Sequence, residues 1–295
     1  MLRTVLLTAA TFAAFAAPAA AQIQTDTAAA LVRVTPTPVD GATRTAALGQ
    51  TVLEQQARVD EVVRLQAPLA ATFPLAGTQT DMSLPAGAEL FRVRLRANAE
   101  LTAYCAAETM RTNVGSHRPA RVGRICLSDA DSDDAFDRLW YMFVPISAGG
   151  DGAGGWVIHP YSRIAGGLVY SVVADQLTPI GYEAAPQHAI APFSLAIEHV
   201  SWGRGFAFQL RQRDGDGNAL TELSTEISGS TRAQADAEFP QTLSLMGAEI
   251  EILGRDEAGA LSYRVRRGFS EAEALELVNT PPPAPPPPSP PPPRR

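Results

Sequence analysis

The sequence predicts a mostly β protein, an antiparallel β-sandwich or barrel-like body of one or two sub-domains with a short C-terminal helix and a disordered proline-rich tail. Three observations predict it. Apolar and polar residues alternate through most of residues 51–268, the alternating runs are bounded by Gly, Pro, Asn and Asp, and helix-period stretches are scarce.

Residues 1–21 read as a signal peptide. Arg3 precedes an apolar run from Val5 to about Ala17, and a small-residue run ends at Ala19-Ala20-Ala21. That order matches a Sec-type signal cleaved after Ala21, so the mature chain starts at Gln22. A retained anchor is the weaker reading, because the apolar core is short and an Ala-x-Ala site follows it. No later run approaches ~18 uninterrupted apolar residues, so no transmembrane helix is expected in the mature chain. The expected location is periplasmic or secreted.

Residues 22–50 are polar and broken by "TPTP" and "DGAT". They read as an extended leader with at most one short strand near Leu31–Val34. Residues 51–145 read as a first β-rich sub-domain. There Phe91, Val93 and Leu95 alternate with Arg92, Arg94 and Arg96, and "LWYMFVP" reads as a central strand covered on both faces. The Gly-rich loop 146–155 then separates it from a second β-rich sub-domain, 156–278. In that half "FSLAIEHV", "FAFQLRQR" and "AEIEILGRDEAGALSYRV" alternate, the last as two strands around a polar turn. Near its end, Ser270 and Glu273 stand in capping-box spacing and predict a helix of about two turns. The run "STRAQADAEF" offers another. Residues 279–295 hold eleven prolines between Pro281 and Pro293, which favour polyproline II and span ~40 Å.

Charge and composition narrow the chemistry. The chain carries −7 at neutral pH, and loses Arg3 with the leader. An acidic body does not suit nucleic acid. All basic side chains are Arg or His; there is no lysine for Schiff-base, Ser-x-x-Lys or P-loop chemistry. Cys105 and Cys126 are the only cysteines, and in an exported chain they pair as a disulfide.

The stretch "CLSDADSDDAFDRLWY" carries the sharpest functional signal. Asp129, Asp131, Asp133 and Asp137 occupy positions 1, 3, 5 and 9 of a calcium-type loop, and the Ala135 carbonyl falls at position 7. Asp134 stands where glycine usually turns the chain, and Trp140 stands where an EF-hand needs Glu, so only a looser Ca²⁺ loop remains. Two carboxylates ~6 Å apart repel by about 0.7 kcal/mol in water. Such a cluster calls for a cation, for solvation, or for pairing with Arg111, His117, Arg118, Arg121 and Arg124.

Other features point less sharply. "RDGDGNALTE" starts like a calcium loop at Asp214, Asp216 and Asn218 but sits where a hairpin turn is expected. The Arg92, Arg94, Arg96 row is either an anion-binding face or a solvent face paired with carboxylates. His199 shares a strand face with Phe193, Leu195 and Ile197 and is expected to pack. No G-x-S-x-G elbow or H-E-x-x-H helix occurs.

The expected function is therefore an exported bacterial, envelope-associated binding or structural protein without enzymatic activity, stabilised by Ca²⁺. Its tail is a stiff spacer or a tether to an envelope protein or glycan. The alternative is a Ca²⁺-dependent secreted enzyme or carbohydrate-binding protein acting on envelope glycans.

Overall fold

The computed structural model describes residues 23–75, 78–108, 110–112, 121–143, 167–172, 177–202, 205–213, 219–223, 232–233 and 238–277. The expected signal peptide, the Gly-rich loop, the turn at 214–218 and the proline-rich tail lie outside them. Among the described residues no helix is long and apolar enough to cross a membrane.

The described chain is built of antiparallel strands. They begin with β1 (Ile23–Val34), β2 (Arg44–Ala46), β3 (Thr51–Val59), β4 (Val62–Leu65), β5 (Leu69–Leu75), β6 (Thr78–Leu84), β7 (Glu89–Leu95) and β8 (Thr102–Ala106). Next come β9 (Met110–Thr112), β10 (Arg121–Asp129), β11 (Ala135–Phe136), β12 (Arg138–Phe143), β13 (Gly167–Val172) and β14 (Ile180–Ala185). After a single 3₁₀ turn at Gln187–Ala189 follow β15 (Phe193–Trp202), β16 (Gly205–Arg213), β17 (Ala219–Leu223) and β18 (Arg232–Ala233). The last four are β19 (Gln241–Leu245), β20 (Ala248–Arg255), β21 (Leu261–Arg267) and β22 (Leu275–Leu277).

Six of these strands close on themselves. β1 pairs with β13 along one edge and with β7 along the other, so that Ala28 faces both Gly167 and Leu95. β7 pairs with β8, β8 with β10, β10 with β12, and β12 with β13. The circuit is a small antiparallel barrel, which satisfies backbone donors and acceptors without a free edge.

Strand parity sorts the side chains of this barrel. Phe91, Val93, Leu95, Ala103, Cys105, Cys126, Trp140 and Met142 face inward. Leu90, Tyr104, Ile125, Leu127 and Tyr141 face outward, and are covered by Leu69, Met82 and Leu84 of the β5–β6 hairpin together with Phe136 and Ile180. "LWYMFVP" is apolar throughout because β12 is buried on both faces: Trp140, Tyr141 and Met142 are all 0% exposed. Each such side chain contributes about 1.5–3 kcal/mol.

Beyond the barrel the sheet runs on through β3, β15, β16 and β17. A second sheet, in the order β19-β20-β21-β2, packs on it. Ile250, Ile252, Tyr263 and Val265 join one core with Leu195, Ile197, Phe206 and Phe208. This is the sandwich part of the molecule. The strands on either side of the Gly-rich loop interleave in the same sheet, since β4 pairs with β14 and β3 with β15.

Three sequence expectations give way. Residues 22–50 hold more than a short strand: β1 spans 12 residues and its Ala28, Ala29 and Ala30 are fully buried. The expected C-terminal helix is replaced by β22. Leu275 and Leu277 are buried on either side of Glu276 and pair with Val32 and Ala30. Covering that edge of β1 satisfies backbone groups of both strands, which outweighs a weak local helix signal. Within "STRAQADAEF" the chain forms β18, paired with β16, where a helix was expected.

Candidate cation site at the end of the disulfide strand

β10 positions both the disulfide and the acidic loop. Its inward residues are Arg124, Cys126 and Ser128; its outward residues end in Asp129. Cys126 lies directly opposite Cys105 of β8, and the two form a disulfide buried in the barrel. On the other side of β10, Trp140 of β12 donates its Nε1–H to the Ser128 hydroxyl at 3.0 Å. The strand that carries the loop is thus held on both sides.

Asp129 is 2% exposed and organises the turn. Its Oδ1 accepts the Ser132 N–H at 2.6 Å, and its Oδ2 accepts the Asp134 N–H at 3.2 Å and the Tyr182 hydroxyl at 3.0 Å. Ser132 and Asp134 take left-handed backbone angles, φ 62° and 63°. Asp134 therefore does what glycine usually does at that position. These angles wind the loop so that carboxylate oxygens of Asp129, Asp131 and Asp133 lie within 4.8 Å of one another. Asp131 and Asp133 are exposed.

The other two predicted ligands, Ala135 and Asp137, follow further along the loop. Asp137 closes its neck: its N–H donates to the Ser128 carbonyl at 3.1 Å and its Oδ1 accepts the Ala130 N–H at 3.3 Å. The Ala135 N–H donates to Asp133 Oδ1 at 3.0 Å. A backbone bond from the loop to β14 runs from the Tyr182 N–H to the Asp134 carbonyl at 3.2 Å, and Ala135 lies opposite Gly181 of that strand.

The crowding has an electrostatic cost. The Asp131 carboxyl is held above the usual carboxylate range, first by the desolvation the loop imposes, then by the charges of Asp133, Asp137 and Asp129. Among the described residues no arginine or histidine forms an ion pair with any of the five aspartates. Arg124 points the other way. It is fully buried, donates to the carbonyls of Ala106 at 2.9 Å and Ala107 at 2.6 Å, and lies 5.5 Å from the centroid of the Phe91 ring. Burial lowers its guanidinium to about 9. His117 and Arg118 lie outside the described residues, and Arg111 and Arg121 are described as backbone only.

An aromatic wall backs the loop. Tyr182 stacks on Phe136 with centroids 4.3 Å apart, and Tyr104 packs against both at 5.7 and 5.8 Å. The Tyr104 hydroxyl donates to Glu61 at 2.5 Å, and Arg92 pairs with the same carboxylate at 2.6 Å. Both phenols are held well above their usual range, first by burial and then by the carboxylate each one bonds. Neither Tyr182 nor Glu61 carries a sequence signal linking it to the aspartates. Tyr182 arrives from β14, brought there by the pairing of β11 with β14.

The other candidates resolve structurally. Arg92 pairs with Glu61, and Arg94 with Glu276 at 2.5 Å. His199 is 1% exposed, packs against Phe206 and Phe208, and has Nδ1 3.2 Å from the Ala46 carbonyl. Burial lowers its pKa.

No family model, curated protein or solved structure matches this chain.

Proposed function

We propose that this chain is an exported bacterial protein of the cell envelope, a non-enzymatic β-rich binding or structural module whose Asp129–Asp137 loop takes Ca²⁺. The convergence of the Asp129, Asp131 and Asp133 carboxylates carries the cation reading. A hard divalent ion bound by oxygen ligands offsets the mutual repulsion of these carboxylates. Its effect is structural, because the loop ends the disulfide strand and leads into β11 and β12. The leader at 1–21, the buried disulfide and the proline-rich tail support the envelope assignment. The tail at 279–295 serves as spacer or tether toward an envelope protein or glycan.

A thermal melt of the chain from Gln22, first in EDTA and then in Ca²⁺, tests the reading. At about 2 mM Ca²⁺ and a Kd of about 0.1 mM, binding adds about 1.8 kcal/mol. For a chain of this size that is a rise of roughly 4–7 °C. Asp131→Asn with Asp133→Asn should abolish the rise. A melting temperature indifferent to Ca²⁺ in the unaltered chain overturns the proposal.

A further inference from the structure

β1 is the first described strand, and its partners are spread along the rest of the chain. Ile23–Ala28 pairs with β13, Ala28–Ala30 with β7, Ala30–Val32 with β22, and Val32–Val34 with β3. β2, its neighbour in sequence, belongs to the other sheet. A strand that emerges first must wait for Leu277 before both its edges are covered. Until β1 is seated, the seam between β7 and β13 stands open to any matching strand.

The seam fits this particular sequence. Ala28, Ala29 and Ala30 are 0% exposed, and larger side chains there would have to displace their neighbours. Asp26 is 5% exposed, and its carboxylate accepts the Ala97 N–H at 2.9 Å, the Asn98 side-chain amide at 2.8 Å and the Thr27 N–H at 2.6 Å. Arg33 pairs with Asp60 on β1's far end. A one-residue slip would turn Asp26 out of its clamp and onto the other face of the sheet.

The connector leaves β1 free to travel. From Pro36 to Ala42 the hydrogen bonds are local: the Ala42 N–H and Arg44 both bond Asp40. All of these residues except Gly41 are exposed. Thr35 bonds the Gln56 carbonyl and Thr43 accepts from Arg264, and the seven residues between them, Pro36–Ala42, reach about 25 Å when extended.

We propose that β1 is an exchangeable closing strand, and that the partner fitting the seam is β1 of a second copy of this chain. In the resulting dimer each barrel is closed by the other copy. Every pairing, the Asp26 clamp and the Arg33–Asp60 bridge are retained, and only the path of the connector changes. Concentration during folding therefore decides between the closed monomer and the exchanged dimer.

Two single variants test this, Arg33→Cys and Arg58→Cys, at exposed positions that face each other across β1 and β3. Chains from Gln22 are refolded together, or refolded apart and then mixed, and oxidised under mild conditions. Exchange predicts a covalent heterodimer, linked 33 to 58, that increases with protein concentration in the co-refolded sample and stays scarce in the mixed one. Light scattering on the unaltered chain, refolded at the same concentrations, should find a dimer that survives dilution. A heterodimer no more abundant after co-refolding than after mixing overturns the proposal. So does a monomer at every concentration, or a dimer without the 33–58 link.

Discussion

On β7, Arg92 and Arg94 bring their charge to Glu61 and Glu276, whereas on the loop after β10 Asp131 and Asp133 form no ion pair with an arginine or histidine among the described residues. Both regions concentrate like charge at alternate positions. In the strand, alternation places the arginines on a sheet face where neighbouring strands supply carboxylates. In the loop, alternation combined with two left-handed residues turns the carboxylates toward one another. The same spacing thus disperses charge on a strand and gathers it in a turn. Gathered charge has to be answered by water or an added cation.

The largest effect expected from breaking this contrast lies at Asp129. Its carboxylate is the only one of the trio that is buried, and it holds three donors from Ser132, Asp134 and Tyr182. Asp129→Ala removes the organiser and leaves those donors to water, at a cost of about 2–3 kcal/mol. Urea unfolding checks this: the midpoint should fall with little change in slope. A loss below about 0.5 kcal/mol would mean that the turn is held by its backbone alone.

Asp131→Asn sharpens the contrast by its sign. A carboxyl whose folded pKa is raised favours its protonated form in the fold. Its ionised form therefore weakens the fold at any pH above the folded value, and this penalty fades as pH falls through that value toward the unfolded one. In EDTA at neutral pH the substitution should raise the melting temperature, and the gain should shrink on acidification. In Ca²⁺ the same substitution should lower the melting temperature, because a ligand is lost. One substitution with opposite signs in two buffers separates a cation site from a solvated turn. A gain in both buffers would assign the loop to water.

What was legible in the sequence follows from the same physics. Alternation in "ELFRVRL", "FSLAIEHV" and "AEIEILGR" maps onto β7, β15 and β20, because one face of each carries large apolar side chains into the same core. β1 was not legible as a long strand. "TDTAAALV" has no alternation, since Ala28, Ala29 and Ala30 are buried on both faces and alanine has little strand preference. Ser270 and Glu273 looked like a helix start, yet the Ser270 N–H bonds the Met246 carbonyl at 3.1 Å and the chain runs on into β22. At the candidate site, spacing pointed to the grouping of Asp129, Asp131 and Asp133. It could not place Asp137 at the neck, which depends on the pairing of β10 with β12, or bring in Tyr182, which depends on the pairing of β11 with β14.

The smallest effect belongs to the balanced side. Arg94 and Glu276 are joined at 2.5 Å, but their side chains remain 53% and 34% exposed. Water solvates each of them nearly as well apart as together, and holding two long side chains in one geometry costs rotamer freedom. Arg94→Ala should therefore change stability by about 0.5 kcal/mol or less, and added salt should shrink even that. Denaturant melts at low and high ionic strength would measure it. A loss above about 2 kcal/mol that persists in high salt would show the pair to be a clasp between β7 and β22 across β1. The arginine row would then be structural in a stronger sense than charge balance, and the contrast with the aspartate loop would rest on packing as much as on charge.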